Sequence, residues 1–113
     1  MPTDKVTVKL YPLEYASLFE HLSNLAKNAQ EYGLNTTAGQ LLLYDFFSRK
    51  WNMIGRNANN RKGKMRSLSL KPHEARALYD ELRIYSNVDV VIGQIFGHLD
   101  RAMVNLGFKN QQL

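Results

Sequence analysis

Hydrophobic and polar residues alternate in two short segments of the chain, and a longer stretch with helical spacing follows each segment. The apolar positions are Val6, Val8 and Leu10 in the first segment, and Leu68 and Leu70 in the second. The residues between them are polar: Thr7, Lys9, Ser67 and Ser69. Successive side chains of a strand point to opposite faces, so this period of two predicts two strands with one buried and one solvated face.

A proline followed two residues later by a glutamate predicts a helix after each strand. Pro12 and Pro72 suit a first helical turn, and Glu14 and Glu74 favour the positive end of the helix dipole. We expect the first helix to run to about Tyr32 and the third to end near Tyr85.

Two further helices are predicted, and they differ in the width of their apolar faces. The second opens at Thr36 or Thr37, and the fourth opens at Asn87 or Asp89. The apolar residues of the second helix are Leu41, Leu42, Leu43, Tyr44, Phe46, Phe47, Trp51, Met53 and Ile54. They span about 200°, whereas a surface helix needs about 100°. This helix is therefore expected to be central, or to be covered by another copy, with Phe47 and Trp51 as candidate interface residues.

The two halves of the chain resemble each other, which predicts a duplicated strand-helix-helix unit. When residues 5–22 are set above residues 65–82, five identical residues coincide: Leu10, Pro12, Glu14, Leu18 and Leu22 fall on Leu70, Pro72, Glu74, Leu78 and Leu82. A second register places Gly39-Gln40 on Gly93-Gln94. We expect one domain over 1–113, with pseudo-repeats at about 4–55 and 64–108 joined by a basic loop over 56–64. The predicted class is α+β, mostly helical, with a two-stranded antiparallel ribbon packed on four helices.

The positive charge of the chain is concentrated in one stretch. The formal net charge is +5, and residues 56 to 71 contain no acid. The six basic residues of this stretch are Arg56, Arg61, Lys62, Lys64, Arg66 and Lys71. Flexible lysines and arginines displace counterions from phosphates, so the stretch favours contact with nucleic acid. The alternative is a linker that charge keeps solvated.

Several function classes lack their characteristic residues. There is no cysteine, no apolar run near the roughly 20 residues of a membrane helix, no glycine-rich phosphate loop and no nucleophile elbow. His21, His73 and His98 stand apart, without a partner at metal-ligand spacing, and the acids are interpreted as helix-start or exposed residues. We therefore expect a cytoplasmic protein that is not an enzyme, with no cofactor, metal, membrane or small-molecule substrate.

The chain resembles the ribbon-helix-helix DNA-binding proteins. The resemblance rests on Lys5-Val-Thr-Val-Lys-Leu10, a helix, and then Gly33-Leu-Asn-Thr-Thr-Ala-Gly-Gln-Leu-Leu42. It covers about three quarters of the chain, and the duplicated unit would resemble the family's dimer fused into one chain. It implies a ribbon that lies in the major groove of DNA. The implied base-reading residues are Lys5, Thr7, Lys9, Ser67 and Ser69. The implied phosphate contacts are Asn35, Thr36 and Thr37, with Asn87 as counterpart.

The function expected from these features is binding of duplex DNA through the polar ribbon face and the basic loop, in a regulator or accessory factor. One alternative is a protein-interaction or homo-oligomeric assembly module that uses the apolar second helix. A further alternative is a binder of single-stranded DNA, in which Tyr11 stacks on bases.

Overall fold

Two strands and four helices make up the computed structural model, which describes residues 5–31 and 37–105. In chain order they are β1 (Val6–Leu10), α1 (Pro12–Glu31), α2 (Ala38–Ala58), β2 (Arg66–Leu70), α3 (Pro72–Tyr85) and α4 (Val90–Asn105). The predicted class is confirmed: the fold is α+β and mostly helical, with a two-stranded antiparallel sheet.

The two strands pair over their whole length. Val8 lies opposite Leu68 at the centre, and Val6 and Leu10 lie opposite Leu70 and Arg66 at the ends. The five alternating apolar residues are buried, whereas the polar residues between them are exposed. The ribbon therefore has one apolar and one solvated face, as the alternation predicts.

The helices cover the apolar face of this ribbon. Within each half the two helices pack together, α1 on α2 and α3 on α4. Across the halves α2 packs on α3, α1 packs on α4, and α4 also contacts β1. A two-stranded sheet is marginal by itself. The core that it shares with all four helices stabilises it here.

Matching contacts recur at a fixed spacing in the two halves. The backbone N–H of Tyr11 donates to Glu14, and 60 residues later that of Lys71 donates to Glu74. Val8 and Leu68, which pair at the centre of the ribbon, have the same spacing. In the second helices the buried positions recur 49 residues apart: Leu43, Phe46 and Ile54 correspond to Ile92, Ile95 and Met103. These buried positions do not match the predicted register that sets Gly39-Gln40 on Gly93-Gln94. An origin of the two halves by duplication stays a prediction.

The loop predicted over 56–64 begins too early. Helix α2 continues to Ala58, so Arg56 lies in its last turn, where a positive charge suits the helix dipole. The helix ends where the backbone N–H of Asn59 donates to the carbonyls of Gly55 and Arg56. Glycine and asparagine frequency suggested a loop here, but these residues continue and then cap the helix.

Helix α2 is not surrounded on every side within one chain. Leu43, Phe46 and Ile54 are buried, but Leu41, Leu42 and Trp51 are 53%, 40% and 49% exposed. The expectation that α2 is central is therefore wrong for part of its arc. The expectation that another copy covers this part stays a prediction.

Two glycines of α4 have different surroundings, which gives a test of the packing. A Cβ atom built at Gly93 would lie 2.8 Å from the carbonyl oxygen of Ser86, whereas one built at Gly97 would meet only the Arg101 side chain at 3.7 Å. Gly93 thus permits the close approach of the α3–α4 turn, and Gly97 does not serve this purpose.

We expect Gly93→Ala to lower the free energy of unfolding by about 1–3 kcal/mol, because backbone must shift to admit the methyl group. Gly97→Ala is the matched control and should raise it by up to about 1 kcal/mol, the helix propensity difference. Denaturant unfolding followed by circular dichroism measures both. Equal stabilisation by the two substitutions would contradict this account of the α3–α4 packing.

Candidate nucleic-acid interface

The solvated side of the ribbon is a polar surface, and none of the residues that form it in the described part of the chain is an acid. We call it the ribbon face and define it by six exposed residues: Lys5, Thr7, Lys9, Ser67, Ser69 and Lys71. Thr7 and Ser69 lie opposite each other with their hydroxyl oxygens 3.3 Å apart, and Lys9 lies opposite Ser67. Lys71 follows β2 with extended backbone. The structure therefore brings together the five predicted base-reading residues and adds Lys71, from the basic stretch.

Arg66 does not belong to the ribbon face. It lies opposite Leu10, and the alternation of β2 places it on the same side as Leu68 and Leu70, which pack on the helices. Its side chain is exposed at the end of the ribbon, and its carbonyl accepts a hydrogen bond of 2.9 Å from the Tyr15 hydroxyl. Burial raises the pKa of Tyr15, although a hydrogen bond with Asn57 opposes this effect. Tyr15 thus fixes the start of β2 against α1.

The remainder of the predicted basic loop is a hydrogen-bonded turn. Asn60 accepts from the backbone N–H of Lys62 and donates to the carbonyl of Lys64. Gly63 has a φ of 68°, which glycine adopts without strain. We call the three exposed bases Arg61, Lys62 and Lys64 the basic turn. It leads into β2, whereas Arg56 lines a different groove with Trp51 and Phe19, between α1 and α2.

Of the four residues predicted to contact phosphate at helix starts, Thr37 and Asn87 lie in the part of the chain that the structure describes. Asn35 and Thr36 lie outside the described residues. Thr37 is the N-cap of α2, and its hydroxyl accepts from the Gln40 backbone while its own N–H donates to the Gln40 side chain. Both groups of Thr37 are thus engaged within the helix.

The start of α4, next to the predicted counterpart Asn87, carries a negative charge. The Asp89 carboxylate accepts hydrogen bonds from the backbone N–H groups of Val91 and Ile92. It occupies the position where a phosphate would have to bind. Asn87 is exposed beside it.

The two candidate interface residues on α2 have different environments. Phe47 is partly buried, and its ring packs edge-on against Phe19 with centroids 5.3 Å apart. Trp51 is about half exposed and lines the groove of about 480 Å³ between α1 and α2. Only Trp51 of the pair presents a large free surface.

Three glutamates expected at helix starts or on exposed faces are in fact buried. Glu14, Glu74 and Glu81 are at most 7% exposed. Each contacts a cationic or histidine side chain of the other half: Glu14 contacts His98, Glu74 contacts Arg49, and Glu81 contacts His21. The partners are far apart in sequence, so local pattern could not reveal them. These contacts fix how the two halves fit together.

His98 links a buried carboxylate to an exposed arginine. A guanidinium N–H of Arg101 donates to Nδ1 of His98 at 2.8 Å, so Nδ1 is the acceptor. The other ring nitrogen then carries the proton and donates to Glu14 at 2.9 Å. Glu14 also accepts from the Tyr11 backbone at 2.7 Å. Arg101 is thereby held from the first turn of α1.

Glu74 stays ionised although it is buried. Burial by itself would raise its pKa, but the Lys71 backbone N–H, the Arg49 guanidinium and the His73 charge together lower the pKa of Glu74 below its ordinary value. The same hydrogen bond raises the pKa of Arg49. The pair therefore remains charged at neutral pH.

Within residues 5–31 and 37–105, the histidine–carboxylate contacts are pairs, and no group of three His, Asp or Glu side chains is placed to hold a metal ion. In this same part of the chain, no helix combines the length and the hydropathy needed to cross a membrane. Comparisons with protein-family models, curated proteins and solved structures give no match. The likeness to ribbon-helix-helix proteins therefore stays a prediction from the sequence.

The lowered pKa of Glu74 predicts an acid-dependent loss of stability. A carboxylate whose pKa is lower in the folded state contributes stability above its unfolded pKa, near 4.5, and this contribution disappears as the pH falls through the folded value. Glu74→Gln should therefore cost more stability at neutral pH than at about pH 3. Denaturant unfolding of both proteins across this range measures the difference. A cost that does not change with pH would contradict the assignment.

Proposed function

We propose that this chain is a non-catalytic protein that binds duplex DNA through its ribbon face, as a regulator or accessory factor. The observation that carries the proposal is the composition of that face. It combines three lysines with three hydroxyl side chains, and no acid lies among these six described residues. A reducing cytoplasm as its location is part of the proposal, supported by the absence of cysteine.

The shape of the ribbon suits the major groove of DNA. That groove is about 12 Å wide and admits a two-stranded ribbon, whose outward side chains then meet base edges. Thr7 and Ser69 can donate to or accept from bases, and Lys9 can donate to guanine. The apolar residues of the ribbon face the helices on its opposite side, and α4 also flanks the edge of β1.

The basic turn supplies a second proposed contact. Arg61, Lys62 and Lys64 directly precede β2, so they extend the positive surface beyond one end of the ribbon. Such side chains bind phosphates without regard to sequence. We include in the proposal that the halves arose by duplication, which the matching contacts of Glu14 and Glu74 support.

The test compares two lysine variants that remove the same charge from different surfaces. Wild-type protein should bind random duplex DNA in fluorescence anisotropy, with an affinity that falls steeply between about 50 and 300 mM salt. Lys9→Gln should weaken this binding and change the preference among sequences, because Lys9 faces the base edges. Lys27→Gln is the control, since Lys27 is exposed late in α1, about 22 Å along the helix from Pro12.

Equal effects of Lys9→Gln and Lys27→Gln would remove the ribbon face from the proposal, and no duplex binding at low salt would refute it. Tighter binding to single strands than to duplex would favour stacking on Tyr11, which is 51% exposed.

A second candidate function is self-assembly through α2. It is favoured by the three large apolar side chains that α2 leaves exposed: Leu41, Leu42 and Trp51. A partner copy that covered them would complete the burial predicted by the wide apolar arc.

If α2 mediates assembly, the protein should form a dimer that dissociates on dilution, and Trp51→Ala should weaken the dimer at least tenfold. Leu13→Ala is the control, because Leu13 is equally apolar and 67% exposed but lies on α1. Sedimentation equilibrium measures both. A wild-type monomer at all concentrations would exclude this candidate.

A further inference from the structure

A second positively charged surface lies beside the ribbon. The basic residues of the stretch 56–71 are not among the residues that line it. A groove of about 460 Å³ runs between β1 and the second half of α4. Its cationic lining consists of Lys5 and Lys9 from the strand and Arg101 from the helix, with His98 and Asn105 beside them. No acid is among the described residues that line it.

In this groove the Glu14 carboxylate reaches Arg101 only through the ring of His98. The ion pairs found in the described part of the chain do not include Lys5, Lys9 or Arg101. Like charges gathered in one concave surface repel one another and raise the local concentration of anions. An anion that enters the groove would relieve this repulsion.

Arg101 differs from the two lysines because a hydrogen bond to a neighbouring side chain restrains it. Its guanidinium donates to His98, which in turn is bonded to the buried Glu14. A guanidinium matches the geometry of phosphate oxygens and can bind them in pairs. Since part of its ordering is already complete, less conformational entropy is lost when a phosphate binds.

The groove and the ribbon face share three residues, Lys5, Thr7 and Lys9. A duplex that lies on the ribbon face therefore has its backbone within reach of the groove along β1. The β2 strand differs from β1 at the equivalent positions. Ser67 and Ser69 of β2 lie 60 residues after Thr7 and Lys9 of β1, so a serine replaces the lysine there.

We propose that the groove between β1 and α4 binds a backbone phosphate of the DNA, with Arg101 as the restrained contact and His98 as its positioning residue. This inference rests on the proposed function, since it names where one DNA strand is held. It makes the flank of β1 a stronger phosphate contact than the flank of β2.

The test removes one positive charge from the groove and one from elsewhere. Arg101→Gln should weaken duplex binding and lower the slope of log affinity against log salt by about 0.9, the value for one phosphate contact. The ratio of wild-type to variant affinity should accordingly fall about threefold between 50 and 200 mM salt. Arg83→Gln is the control, because Arg83 is exposed in the last turn of α3 and makes the same change in net charge.

His98 is tested through Arg101 in a double-mutant cycle. His98→Asn should weaken DNA binding in the wild-type background and have no further effect in the Arg101→Gln background. Circular dichroism confirms that each variant is folded at the temperature used. Equal losses from His98→Asn in both backgrounds would show a purely structural role.

The outcomes separate the two proposals. No duplex binding by the wild type would overturn both. Wild-type binding with identical salt slopes for Arg101→Gln and Arg83→Gln would overturn the groove alone and leave the ribbon face in place. Saturable binding of inorganic phosphate that Arg101→Gln abolishes, with DNA affinity unchanged, would also overturn it, because the groove would then hold a small anion.

Discussion

Antiparallel pairing of β1 with β2 is the constraint on which the other features depend. Alternation directs every second side chain of the ribbon to the helix side. Burial of the opposed residues Val8 and Leu68 therefore leaves their polar neighbours along each strand in solvent. A one-residue slip would exchange the two faces and expose the apolar set. The register thus stabilises the core and sets the composition of the ribbon face at once. It also brings the first turns of α1 and α3 into matching positions at the ends of the ribbon.

Buried charges then connect the halves. Glu14 and Glu74 have the same place in the two halves, and each reaches a side chain on the second helix of the opposite half. Pairs of this kind add little net stability, because desolvation offsets much of the attraction, but removal of one partner leaves a buried charge unpaired. Their consequence here is positional. Glu14, in the first turn of α1, holds His98, and His98 holds Arg101 beside the ribbon. The arrangement of the core and the surface charge are therefore linked by three hydrogen-bonded side chains.

Local pattern predicts the elements well and their long-range partners poorly. Alternation located both strands, and Thr37 and Asp89 cap helices where a threonine and an aspartate were expected to do so. The burial of Glu14 was missed because its position at a helix start explains the residue without any partner, while His98 lies 84 residues away. The end of α2 was misplaced because glycine and asparagine occur in loops and in helix caps alike. The sequence around Arg101 gives no sign that this residue lines the groove, since only the packing of α4 against β1 brings it near Lys9.

The central claim is that the outward face of the paired strands contacts duplex DNA, and backbone amide chemical shifts during a titration with a random duplex test it most directly. Each strand residue then reports separately, without a substitution that could alter the fold. The account predicts that the largest changes fall on Thr7, Lys9, Ser67 and Ser69, with smaller changes along α4 near Arg101. Changes confined to α2 around Trp51, or no changes at low salt, would contradict it.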